Sequence, residues 1–128
     1  MPKQAVRKLF CMVFLLWGCA QPIVASDTVN GVTCTLEFAM PLVANASIPV
    51  TVRFMQDGQT VVLTDVSLDL QMPGMTMGTN RPLAQPQADG SHTTAVLFTM
   101  DGEWAVIVTG RSGTQEQRFV IENMIVSP

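Results

Sequence analysis

The sequence predicts an all-β protein, an immunoglobulin-like two-sheet β-sandwich of six or seven strands. Three observations carry that expectation. From Gly31 onward apolar residues recur at a period of two, turn formers break the pattern at close intervals, and no convincing stretch keeps the spacing of a helix. About 100 residues follow an N-terminal export leader, enough for one domain with one modest core. Six or seven short strands in that length fit two packed sheets.

The leader comes first. Lys3, Arg7 and Lys8 precede an apolar run from Leu9 to Trp17, the layout of a secretory signal and too short to span a bilayer. Two processing sites compete. Leu16-Trp17-Gly18-Cys19 resembles a bacterial lipobox, in which Cys19 would be acylated, and Val24-Ala25-Ser26 offers the small residues that an ordinary signal peptidase cuts beside. The division is therefore a signal over 1–26, or a lipoprotein signal ending before Cys19, and a single domain over 27–128. The location implied is outside the cytoplasm, periplasmic, either soluble or lipid-anchored. Removing the signal leaves four basic against ten acidic residues, a net charge of −6. Such an acidic domain is a poor match for nucleic acid.

Strands are expected near 32–39, 48–55, 60–71, 93–100, 103–110 and 115–125, with a short irregular one near 81–84. Cys11 and Cys19 fall in the leader region, so Cys34, on the first strand, is left without a disulfide partner. It reads as a small buried hydrophobe, with a fourth metal ligand or an intermolecular thiol as alternatives. Ile48, Val50, Val52 and Phe54 alternate with more polar neighbours and mark a core face; Asp57-Gly58 then closes a hairpin. Val66, Leu68 and Leu70 continue the inward parity to Met72, where core gives way to loop. Residues 78–91 form the longest region without a strong pattern. At Met100-Asp101-Gly102 a three-residue hairpin loop would pair Phe98 with Trp104 and Val96 with Val106.

Met72-Pro73-Gly74-Met75-Thr76-Met77 gathers three thioethers in six residues. Pro73-Gly74 are the central residues a type II turn prefers, and such a turn brings the flanking Cα atoms to within about 7 Å. Met75 and Met77, if extended, share a face about 6.6 Å apart. Met72, Met75 and Met77 can therefore converge as an open three-sulfur site. Soft sulfur in an oxidising compartment selects copper(I), because thioethers carry no proton and are not lost to disulfides. The ordinary use of methionine, filling irregular gaps or making an adaptable contact surface, is the competing reading. Met40 and Met100 become further ligands where their strand ends meet the loop; Met55 and Met124 read as packing. His92, the one imidazole, would complete a mixed site if its loop folds back towards Met72, and reads otherwise as a surface or partly buried residue.

Three stretches carry a resemblance to a known family: Val50-Thr51-Val52-Arg53-Phe54 leading into Asp57-Gly58, the loop Met72 to Gly78, and Val96 to Trp104. The segment from Val50 to Gly110 resembles the YtkA-like family of small exported bacterial domains, which are related to assembly factors of the FixH type. In such domains one strand ends in a Met-Pro-x-Met type loop and a later one in Met-x-Gly-x-Trp. The resemblance implies an immunoglobulin-like sandwich and a link to copper trafficking or respiratory-oxidase assembly, with partners of that kind. The sequence departs from the pattern at His92, where an aromatic residue commonly follows the glycine turn, and it lacks a histidine in the Met loop. The second departure favours copper(I) over copper(II).

Two functions follow as expectations. One is an exported copper(I)-binding protein, a carrier, buffer or oxidase-assembly accessory. The other is a non-metal interaction module that offers the Met loop as a hydrophobic contact to a membrane complex. An enzyme is not expected: one His, no reactive Cys motif and no apolar-flanked acidic pair leave little for acid–base or nucleophilic work.

Overall fold

Residues 23–75 and 81–128 are described by a computed structural model, in which they form strands, turns and loops. Asn30-Gly31 has positive φ at both positions, 52° and 80°, as a type I′ turn requires. It folds β1 (Ile23–Val29) against β2 (Val32–Phe38), with Val29 opposite Val32. The reading that began the strands at residue 32 missed β1, whose first residues were assigned to the leader. The rest of the leader, Cys19 included, lies outside the described residues.

β2 pairs with β3 (Ser47–Gln56), and the Asp57-Gly58 turn, with φ of 51° and 76°, returns the chain as β4 (Gln59–Thr60). Residues 61–63 then leave this sheet for the other one, where β5 (Thr64–Gln71) begins. The single strand expected over 60–71 is thus broken at a crossover. Leu63 turns inward there and packs over Gly110, where a Cβ would stand 3.0 Å from Leu63 Cδ1.

After the Met loop the chain runs along β5. Leu68 N–H donates to the Pro82 carbonyl, Ala84 N–H donates to the Val66 carbonyl, and Leu83 lies opposite Ser67. It then joins the first sheet as β6 (Gln85–Pro86), beside β7 (His92–Leu97). The short strand expected near 81–84 is this segment, which bridges the two sheets along one open side.

The expected hairpin between 93–100 and 103–110 does not form. β7 pairs with β3 and β6, whereas β8 (Gly102–Ser112) lies in the second sheet between β5 and β9 (Gln115–Val126). Phe98 and Trp104 do meet, with ring centroids 5.2 Å apart at 68°, but they do so across the core. The two strands aim their large residues at one interior from opposite sheets, so aligning those residues reproduces the contact without the ladder. Trp104 Nε1–H donates to the Met100 carbonyl at 3.0 Å and fixes the corner.

The sheet orders are β1-β2-β3-β7-β6, with β4 also on β3, and β5-β8-β9, all antiparallel. From β2 onward this is the ABED and CFG arrangement of an immunoglobulin constant-type sandwich, with β1 added outside the first strand. Leu36, Phe38, Ile48, Phe54, Leu68, Leu70, Trp104 and Phe119 are fully buried between the sheets. Along the side opposite the bridge, Val120 N–H of β9 donates to Asp27 Oδ2 of β1 at 2.9 Å. A carboxylate thereby closes the gap between two edge strands.

Candidate functional site

The Met loop begins where β5 ends. Gln71 still faces Ala105 on β8, and the next residue is already out of the ladder. Pro73 and Gly74 then make the turn the sequence predicts: Met75 N–H donates to the Met72 carbonyl at 3.1 Å, and Gly74 has φ of 79°, the positive value that the third residue of a type II turn needs.

Met72 is half-buried. Its side chain lies over Gly102, so that a Cβ on that glycine would come 2.8 Å from Met72 Cε. Gly102 was not singled out as part of the site, yet it is the surface on which this thioether rests. Met100 is two residues away and 42% exposed, and Met75 is 52% exposed. Met72, Met75 and Met100 thus share one rim of the sandwich, beside the corner held by Trp104. Met77 lies outside the described residues. Met40, on the connection from β2 to β3, is exposed; that connection reaches the same rim, since Asn45 N–H donates to the Phe98 carbonyl at 2.7 Å. Met124 is buried and packs in the core, while Met55 lies beside Thr60 near the other end.

His92 is not part of this rim. It opens β7 opposite Val52, and Phe98 follows six residues later, about 20 Å along an extended chain. The loop before it does not fold back to Met72, because β6 pins that loop to β7. The mixed sulfur–nitrogen site is therefore corrected: the imidazole stands at the far end. Nor is it a surface residue, for its exposure is 3%. The inward parity of Val96 and Thr94, extended by two residues, would have found it.

Cys34 is completely buried and faces Phe54 across the β2–β3 ladder. Burial, with help from the Asp27 carboxylate, pushes its thiol up to about 12. It is the small core hydrophobe expected, and its burial makes it neither a ligand nor an exposed thiol. Among the described residues no three His, Cys, Asp or Glu side chains group where one metal ion could reach them.

The sequence profile of YtkA-like domains matches residues 26–109. No curated protein and no solved structure matches the chain significantly.

Proposed function

The chain belongs to the YtkA-like family, and from that premise we propose that it is an exported copper(I)-binding protein, a carrier, buffer or oxidase-assembly accessory. The observation that supports this most is the thioether rim. Met72 is held half-buried against Gly102, while Met75 and Met100 present exposed side chains beside it. The donor set suits a soft monovalent ion, because thioethers select copper(I) over harder cations and bind it without releasing a proton. Met77 follows Met75 by two residues and would join them from the remainder of the loop. Bound copper(I) would be open to exchange with a partner, as a carrier requires, since the rim is not roofed by other described residues at Met75. Oxidase-assembly or copper-trafficking partners, and a lipid anchor on Cys19, belong to the same proposal.

The test is a copper(I) titration of protein purified from cells expressing the full chain, in competition with a chromophoric chelator. One ion per chain is expected, and replacing Met72, Met75 and Met77 together by leucine should weaken it by at least tenfold while preserving the fold. Unchanged affinity in the triple variant rejects the proposal.

A second reading is favoured by one observation. Leu97 and Ile125 are also exposed near this rim, and a contiguous apolar patch is what a contact surface for another protein needs. Capture of a membrane partner that is indifferent to both copper and chelator would support a non-metal interaction module instead.

A further inference from the structure

On the outer face of the β5-β8-β9 sheet lies a cleft of about 560 Å³, a size typical of small-molecule sites. Two features of the chain hollow this face. The segment after the Met loop lies along β5 and raises a wall, which Arg81 ties down through Nη2 to Asp69 Oδ2 at 3.4 Å. Further along β5, Asp65 and Val66 together oppose the single Gly110 of β8. That bulge bends the strand and leaves Asp65, with φ of 52°, in the lining of the cleft.

The charges here are unlike those of the rest of the domain. Leader apart, the chain has four basic residues, and three of them, Arg81, Arg111 and Arg118, line this cleft. Asp65, Asp69 and Glu116 line it too. The cleft is therefore electrically balanced, while the remainder of the domain holds one arginine against seven carboxylates. Arg118 stands opposite Thr109 and Arg111 opposite Glu116, which makes the two arginines diagonal neighbours on one face, about 7–8 Å apart. Side chains of that length can close on a single carboxylate, each as a fork of N–H donors. Arg81 is committed to Asp69, whereas neither Arg111 nor Arg118 forms an ion pair among the described residues. The floor beside them carries the hydroxyls of Ser67 and Thr109, 2.8 Å apart. One O–H joins that pair, and the other is left to donate to a ligand.

We propose that this cleft binds a small zwitterion, an amino acid whose carboxylate and ammonium stand at opposite ends of a short chain. The carboxylate meets Arg111, Arg118 and the spare hydroxyl; the ammonium meets Asp65. Separated charges are required because Asp65 is on β5 and Arg118 on β9, the outer strands of the three, two strand spacings of about 4.8 Å apart. The long arginine side chain takes up part of that span, and the ligand bridges the rest. A molecule of zero net charge also approaches an acidic domain without the repulsion that a simple anion meets. The site lies on the sheet face rather than at the thioether rim and does not depend on copper.

Isotope-labelled protein purified from cells expressing the full chain is titrated with δ-aminovalerate, valerate and pentylamine, following the Nε–H resonances of Arg111 and Arg118 and the amides of Ser67 and Thr109. A saturable shift of these signals is expected with δ-aminovalerate. Its affinity should exceed that of either singly charged analogue by about fivefold, the contribution of one solvent-screened charge pair. Replacing Arg111 and Arg118 together by glutamine should abolish the preference over pentylamine. Asp65→Asn, which removes the charge and still tolerates positive φ, should abolish the preference over valerate. If the double variant does not fold, Asp65→Asn and the three ligands on the wild-type protein decide. No saturable shift, equal affinity for δ-aminovalerate and either analogue, or a preference over valerate that survives in folded Asp65→Asn would each overturn the proposal.

Discussion

A single glycine supports the thioether rim. Gly102 combines φ of +131° with the near contact of the Met72 methyl group, and the two effects differ in weight. The methyl is the far end of a flexible side chain and can move aside, whereas a Cβ at that φ strains the backbone itself, at a cost of about 1–3 kcal/mol. Gly102→Ala is therefore expected to lower unfolding free energy by about that amount in urea titrations, and to displace the Met72 methyl resonance. An unchanged midpoint would show that the corner relaxes freely. At this scale the sequence was most legible where one residue type has one structural use: Pro73-Gly74 gave the type II turn, and Cys34 gave a buried thiol. His92 was harder, because its role depends on which strands cover it.

Among the strands, β1 is held by more than its hairpin. Its inward residues Ile23, Ala25 and Val29 pack on the core, and Asp27 spans to β9 through Val120 N–H. A hydrogen bond to a charged acceptor is worth about 1.5–3 kcal/mol, and Asp27 is only half-buried, so Asp27→Ala should cost the lower part of that range, about 1.5–2 kcal/mol. Faster hydrogen exchange at Val120 than at Phe119 would locate the loss, and a variant with unchanged Val120 protection would refute the tie. The Asn30-Gly31 signal for this hairpin stood in the sequence, but the competing leader reading claimed the residues in front of it. The strand boundaries of β8 and β9 were legible from alternation alone. The partnership of β7 was not, since a shared core face looks the same whether two strands are neighbours or stand across an interior.

For the molecule as a whole, acidity acts in two separate windows. His92 has a lowered pKa because its ring is buried, so the folded state binds its proton less readily than the unfolded chain, whose value is about 6.5. Its contribution to stability is then complete above about pH 6.5 and is lost as the pH falls through the lower folded value. Asp65 is the charged residue that lines, with His92, a cleft of about 310 Å³ at that end. Thermal melts from pH 7.5 to 5 should show a decline that His92→Phe flattens. The second window lies lower: hydrogen bonds from Ser91, with the guanidinium of Arg53, hold Asp89 down at about 2. Any stability it adds is present above the ordinary carboxylate value and disappears as the pH approaches 2. The immunoglobulin-type order of the sheets was foreseen in class from turn spacing; the separation of thioethers and imidazole to opposite ends was not, because it is set by which way β7 runs.

The direction of β1 has one more consequence. Ile23 faces Phe38, and the strand descends from there towards the Asn30-Gly31 turn, so the polypeptide enters the fold on the methionine-bearing side. Were Cys19 to carry acyl chains, only a few residues would separate the lipid from Ile23. The sulfur atoms would then look down at the bilayer and its embedded complexes, while the imidazole would stand at the end turned away from them.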